Sequence, residues 1–357
     1  MGPYHMSNEN LGMQAIKRIA DLYQISKEDC IWHERGFDWW PGDHQVSIYY
    51  ETDNELGNEN AYRLVFQTAF IKDLSFPVKA RLIESISSFA PSYGYVYPTE
   101  ELIKNYKNLD SDKQLDINLW FRSTAYLRED TASWLPEFFG RMALLQPVDA
   151  QRNAKLVAEL LDGNPDLSSL NGASKPQDEI LNVPLEIYVP AGRDASKWID
   201  TGEFQEIAER FGKNDICFGN GDSSGLTLET PFGENSALIR LITDIAHPEL
   251  GNGLLSTIQL PFWESSDEVG EVCAHLNFLN SLYWTNFPYL GSWFAKHMKD
   301  DVYCPAYSSF IPNALYAPNL AANMALWGIA GAQFAKEKIW PDIENVTMAE
   351  VLKKRFE

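Results

Sequence analysis

The chain has 357 residues and carries 29 Lys+Arg against 50 Asp+Glu, a formal charge of −21. An apolar fraction of 45% and an aromatic fraction of 13% suffice for a packed core and exclude a mainly disordered chain. A pI near 4.7 disfavours nucleic acid as a partner, because phosphate recognition needs a basic surface, and the length suits about two domains.

In chain order, Leu11–Ile25 carries Leu11, Ala15, Ile19 and Leu22 at helical spacing. Gln45–Glu51 and Tyr62–Phe70 alternate as strands, with the acidic, Asn-rich stretch Asp53–Asn60 as a hairpin connection. Pro77–Phe89 returns to helical period, with Pro77 in its first turn. Leu115–Phe121 alternates cleanly, and Trp134–Leu161 reads as a helix broken near Pro147. From Asp162 to Lys197 the chain is rich in Gly, Pro, Ser, Asn and Asp, with one short apolar piece, Leu185–Val189, able to join a sheet.

The second half repeats the order of the first. Glu203–Phe211 is helical, and Leu226–Thr230, Ala237–Ile245 and Gly253–Phe262 are strands. The amphipathic helix Glu268–Tyr283, extended pieces at Leu290–Ala295 and Cys304–Ile311, and the helix Asn319–Trp340 follow. Corresponding elements lie roughly 180–190 residues apart, an internal duplication of pattern. The expected organisation is α+β: a unit at 6–161, a linker at 162–197 and a similar unit at 198–357, each an antiparallel sheet packed with helices.

This order, with its acidity, resembles type III secretion chaperones and the related YbjN-like bacterial proteins. Gly253–Phe262 looks like the family's third strand, Asn277-Phe278-Leu279-Asn280 like its central helix, and Leu320–Ala335 like its C-terminal helix. The resemblance implies a chaperone-like fold that dimerises, binds unfolded segments of secreted proteins and has no catalytic residues. Two units in one polypeptide imply an internal pseudo-dimer.

Several constellations invite a chemical reading. Gly221-Asp222-Ser223-Ser224-Gly225 matches a nucleophile elbow, but a strand follows it where that chemistry needs a helix, so a turn is expected. His33, Asp38, Asp43 and His44 lack the tight spacing of a zinc site and read as hydrogen-bonded residues. No phosphate-binding loop is present, and the acidic pairs Glu100-Glu101 and Asp300-Asp301 read as solvated. Cys30, Cys217, Cys273 and Cys304 form no CxxC pair, which suits reduced thiols in a cytoplasmic protein. Leu320–Ala335, the longest apolar stretch, falls short of the roughly 20 residues a bilayer requires, and the N-terminus lacks the apolar run of a signal peptide. No metal or cofactor is expected.

The aromatics are more telling. Among eleven tryptophans, Trp39 and Trp40 sit in a Gly/Pro-bounded loop, Trp120 falls on the polar side of its strand, and Trp263 ends a strand before an acidic turn. Such residues either pack between the halves and under loops or bind a partner. The leading expectation is non-enzymatic protein binding, chaperone- or adaptor-like, through Trp39, Trp40, Trp120 and Trp263. The rivals are a small-molecule sensor or hydrolase with its site between the units, and a structural component of a secretion or defence assembly. The oligomeric state is open.

Overall fold

The computed structural model describes residues 10–25, 30–52, 62–75, 95–98, 116–168, 178–211, 218–282, 288 and 290–339. It is α+β, with two antiparallel sheets and several helices. The helix expected at 77–89, the 53–60 connection, Glu100-Glu101 and Cys217 lie outside the described residues.

Helix α1, Leu11–Leu22, starts where the Asn10 side chain accepts a hydrogen bond from the Met13 amide at 2.9 Å, an N-cap. Its buried face is Ala15, Ile16, Ile19 and Ala20. The first sheet contains β1 (Cys30–His33), β2 (Gly36–Trp39), β3 (Val46–Thr52), β4 (Tyr62–Ser75), β5 (Tyr95–Pro98) and β6 (Asp116–Leu127), in spatial order β1-β2-β3-β4-β6-β5. Val46, Ile48 and Tyr50 alternate on one face of β3, with Leu64 and Phe66 of β4 and Ala125 and Leu127 of β6 in the same core. Two helices follow, α2 (Leu135–Ala143) and α3 (Leu145–Leu161). The break expected near Pro147 falls at Leu144. Pro147 sits in the first turn of α3, where a missing N–H leaves no helical hydrogen bond unmade. Helices α1 and α2 pack together, while α3 covers a smaller core of Phe70, Ile71, Leu74, Leu119 and Phe121.

The stretch expected to be a linker contains a two-residue strand, β7 (Asn164–Pro165), paired with β4, and a helix, α4 (Asp178–Ala191). Leu185–Val189 is therefore helical, not extended: the apolar run was too short for its period to decide. Asn313 ties the end of this stretch down. Its amide donates to the Ala191 and Ala195 carbonyls, both at 3.0 Å, and its oxygen accepts from the Lys197 amide at 3.0 Å.

After α5 (Glu203–Phe211), the second sheet contains β8 (Phe218–Gly221), β9 (Gly225–Phe232), β10 (Asn235–Ile242) and β11 (Gly253–Gln259). Helix α6 (Ser266–Leu282) then leads to β12 (Ser292–His297), β13 (Tyr303–Pro312) and α7 (Leu320–Ile339). The spatial order is β8-β9-β10-β11-β13-β12. Helix α7 lies across β9, β10 and β11. It comes so close that a Cβ on Gly328 would stand 2.5 Å from Ile239 Cγ2. Helix α6 packs on β12 and β13. No helix among the described residues is long and apolar enough to cross a membrane.

One hydrophobic cluster runs through both sheets. Between them, the Trp134 and Trp327 rings stack at 6.3 Å with 19° between planes, and Phe138 meets Trp327 at 6.3 Å.

Candidate functional site

The inner face of the first sheet is packed, so chemistry has to be sought on its outer face and edge. Register puts Asp38 of β2, Ser47 of β3, Gln67 of β4 and Arg122 of β6 in one cross-strand row. Ser47 donates to Asp38 Oδ1 at 2.6 Å, and His33 Nε2 lies 2.9 Å from Asp38 Oδ2. The carboxylate thus stands between hydroxyl and imidazole. A nucleophilic triad instead needs the imidazole in the middle. With Arg35, Tyr49 and Gln67 these groups line a shallow depression of about 330 Å³. Gly36 allows β2 to approach β3 here, since a Cβ would lie 2.1 Å from the Ile48 carbonyl oxygen.

The same face carries a stronger charge network. Arg63 Nε donates to Glu51 Oε2 at 2.7 Å and Arg122 Nη2 to Oε1 at 3.1 Å, with both guanidiniums almost wholly buried. One carboxylate bridging two buried cations fixes β3, β4 and β6 relative to one another.

At the sheet's end lies β1. Among the described residues it pairs only with β2. Its sequence Cys30-Ile31-Trp32-His33 leaves Ile31 44% and Trp32 41% exposed, with Trp32 resting on Phe37 at a centroid distance of 4.9 Å. The edge strand β12 of the second sheet is treated differently. Asn277 of α6 donates to the Trp293 carbonyl and accepts from the Trp293 amide, both at 2.9 Å, which occupies outward hydrogen-bonding groups of that strand.

The four tryptophans singled out from sequence are distributed as follows. Trp39 is not in a loop but in β2, 2% exposed, stacked on Tyr23 at 5.3 Å. A four-residue strand is too short to declare its alternation, so its core face could not be read. Trp40 is also buried, its indole N–H donating to Ser168 Oγ at 3.0 Å. Trp120 is half-buried against the core. Trp263 alone stands out, 55% exposed, in a depression of about 190 Å³ with Glu229, Asn235, Leu238, Gln259, Leu260 and Pro261. Sequence reasoning missed Ile31 and Trp32. An apolar pair beside a His-Glu-Arg-Gly turn was the available signal.

The other candidates resolve simply. Asp222 Oδ1 accepts from the Ser224 amide at 2.7 Å, the Ser224 hydroxyl at 2.8 Å and the Gly225 amide at 3.1 Å, an Asx turn linking β8 to β9. Those contacts hold the exposed Asp222 carboxyl below its usual range. His44 is buried, donating from Nδ1 to the Ala69 carbonyl at 2.8 Å, and burial pushes its pKa down. Among the described residues no group of three or more His, Cys, Asp or Glu is placed to hold a metal. Cys30, Cys273 and Cys304 are buried and form no disulfide with one another, and burial pushes the Cys304 thiol up to about 11.

Comparison with protein-family profiles, with curated proteins and with solved structures gave no match for this chain.

Proposed function

We propose that this protein is a non-enzymatic protein-binding protein, chaperone- or adaptor-like, made of two copies of one α+β unit joined as an internal pseudo-dimer. What supports the duplication is the strand order. Both sheets read first-second-third-fourth-sixth-fifth across, each after a helix and each followed by one. The shared aromatic packing at Trp134, Phe138 and Trp327 is the kind of contact a pseudo-dimer axis would bury. On this reading the likeness to secretion chaperones extends to architecture, with the cytoplasm as the compartment suited to three buried cysteines that form no disulfide with one another.

The observation that carries the binding function is the β1 edge. An apolar, aromatic edge strand offers its outward backbone and large side chains to an extended partner segment, which adds as a further strand. Native proteins otherwise blunt such edges, as Asn277 does for β12. A small-molecule site between the units has less support, because Trp134, Phe138 and Trp327 fill that region.

The test is crosslinked capture from the native cell with the full chain as bait. Trp32→Asp should weaken recovery of its discrete partner by about tenfold or more, as expected for an interface tryptophan, with an unchanged melting temperature. Equal recovery at equal stability sinks the edge reading.

A further inference from the structure

Strand register fixes which backbone groups β1 turns outward. The Tyr50 amide of β3 donates to the Arg35 carbonyl at 3.0 Å, one position before the Gly36–Tyr49 pair. Bonding alternates along a strand, so Phe37 and Trp39 of β2 also bond to β3, and Gly36 and Asp38 bond to β1. Their partners there are His33 and Ile31. The N–H and C=O of Trp32, between those two, therefore point away from the sheet. The Trp32 side chain lies on the core face against Phe37, and Ile31 lies on the outer face opposite Asp38. Both side chains are exposed.

We infer that a second copy of this chain occupies the β1 edge, pairing antiparallel with Trp32 of each copy on a two-fold axis. The inference rests on the edge reading above and adds its regulation, since the self-pair covers the strand that a partner segment would use. An axis normal to the sheet keeps core face beside core face, so each residue meets one of its own face across it. A residue on that axis exchanges two hydrogen bonds with its copy only if its backbone points outward. Trp32 meets that condition, and Ile31 and His33 do not. Trp32 of each copy then donates its N–H to the other's carbonyl and accepts in return, with the two indoles side by side on the core face. Ile31 of each copy comes opposite His33 of the other on the outer face. Area sets the strength of this contact. Four residues span only ~13 Å of edge, too short to bury the ~800 Å² per partner of a standard interface. Each copy also carries −21, and like charges repel. The pair is therefore reversible and concentration-dependent, which suits a cover that a partner displaces.

The test is analytical ultracentrifugation of the full chain over a range of concentrations. The weight-average mass of the parent should rise with concentration toward twofold the monomer value. At fixed concentration it should rise further between ~50 mM and ~500 mM salt, as screening relieves the repulsion. Trp32→Asp sets two like charges opposite each other on the axis and should stay monomeric throughout. Trp263→Asp, at the exposed tryptophan of the second sheet, should behave as the parent does. A second variant reads the register itself. Trp32→Cys places two thiols on Cα atoms ~5.5 Å apart, within disulfide range, so mild oxidation should link the copies while the parent and Trp263→Cys stay unlinked. A parent monomeric at every concentration, a dimer that salt weakens, a dimer that survives Trp32→Asp or is lost in Trp263→Asp, or Trp32→Cys no more linked than the parent overturns the pairing. The outcome is separable from capture at β1. Loss of capture in Trp32→Asp with a monomeric parent leaves the partner edge standing and removes self-pairing. Loss of the dimer in Trp32→Asp with capture unchanged removes the partner reading and leaves self-pairing.

Discussion

His247 and His44 are both held in the neutral form, one as an acceptor and the other as a donor. Nδ1 of His247 accepts from the Glu249 and Leu250 amides, each at 3.2 Å, which leaves no room for a proton on that nitrogen. Burial pushes the His247 pKa down and outweighs the nearby Glu249 charge, which acts the other way. Burial does the same to His44 against its contacts with the Ala69 and Asp166 carbonyls. In the unfolded chain both titrate near ~6.5. As pH falls below that value the unfolded state takes up protons first, so its advantage grows with acidity. The stability these two residues contribute is complete above pH ~6.5 and is lost as pH drops through their lower folded pKa values. Urea unfolding at several pH values should show stability declining below pH ~6.5, with a flatter decline in the His44→Gln/His247→Gln double variant. An identical slope in parent and variant removes these histidines as the cause.

At the scale of elements, the contrast between the sheet edges is set by single side chains. Asn277 replaces a missing strand for Trp293 with one amide, and it does so from the middle of α6, away from solvent. Asn277→Leu should therefore leave a buried N–H and a buried C=O unpaired and cost about 2–3 kcal/mol in chemical denaturation. A loss below about 0.5 kcal/mol would mean that the clamp contributes nothing beyond a typical surface contact. The elements legible in the sequence are those with enough length to show a period. The helix Glu203–Phe211 has the bounds its period predicts, and β3, β9, β10, β11, β12, β13, α6 and α7 lie within about three residues of theirs, while β4 and β6 run on past their predicted ends at Phe70 and Phe121 to Ser75 and Leu127. The short strands β1, β2 and β8 are not predicted, because four residues contain only two alternations. That is also why the candidate site was only partly legible. Trp263 follows a long, well-patterned strand, so its departure from the core pattern is legible, whereas Ile31 and Trp32 lie in a strand whose existence depends on pairing with β2. Trp39 was misplaced for the same reason: its burial comes from Tyr23 and the core beneath β2, contacts that no local pattern records.

For the whole molecule, what matters is whether the two sheets unfold together. A single hydrophobic cluster includes Phe139 and Met142 of α2 as well as Ala321 and Met324 of α7, and the Trp134–Trp327 stack lies between these helices. Among the described residues the ion pair of Arg152 Nη1 with Glu249 Oε2, at 2.5 Å, joins the halves directly, and the Tyr188 hydroxyl of the intervening α4 donates to the Arg141 carbonyl at 2.7 Å. The ion pair is exposed on both sides and adds little, so the aromatic packing dominates. Removing Trp327 deletes the ring that both Trp134 and Phe138 rest on. Because Trp327 is only half-buried, Trp327→Ala should cost about 2–3 kcal/mol, at or below the lower end for a fully buried tryptophan. The informative quantity is the shape of the transition. With one shared core, the parent protein should unfold in a single step, with tryptophan fluorescence and far-UV circular dichroism tracing the same curve. Trp327→Ala weakens the coupling between the sheets, so the two probes should separate, with fluorescence changing at lower denaturant than the backbone signal. Two well-resolved steps already present in the parent, with Trp327→Ala moving only one of them, would show that each sheet carries its own stability and that the ring stack is incidental to it.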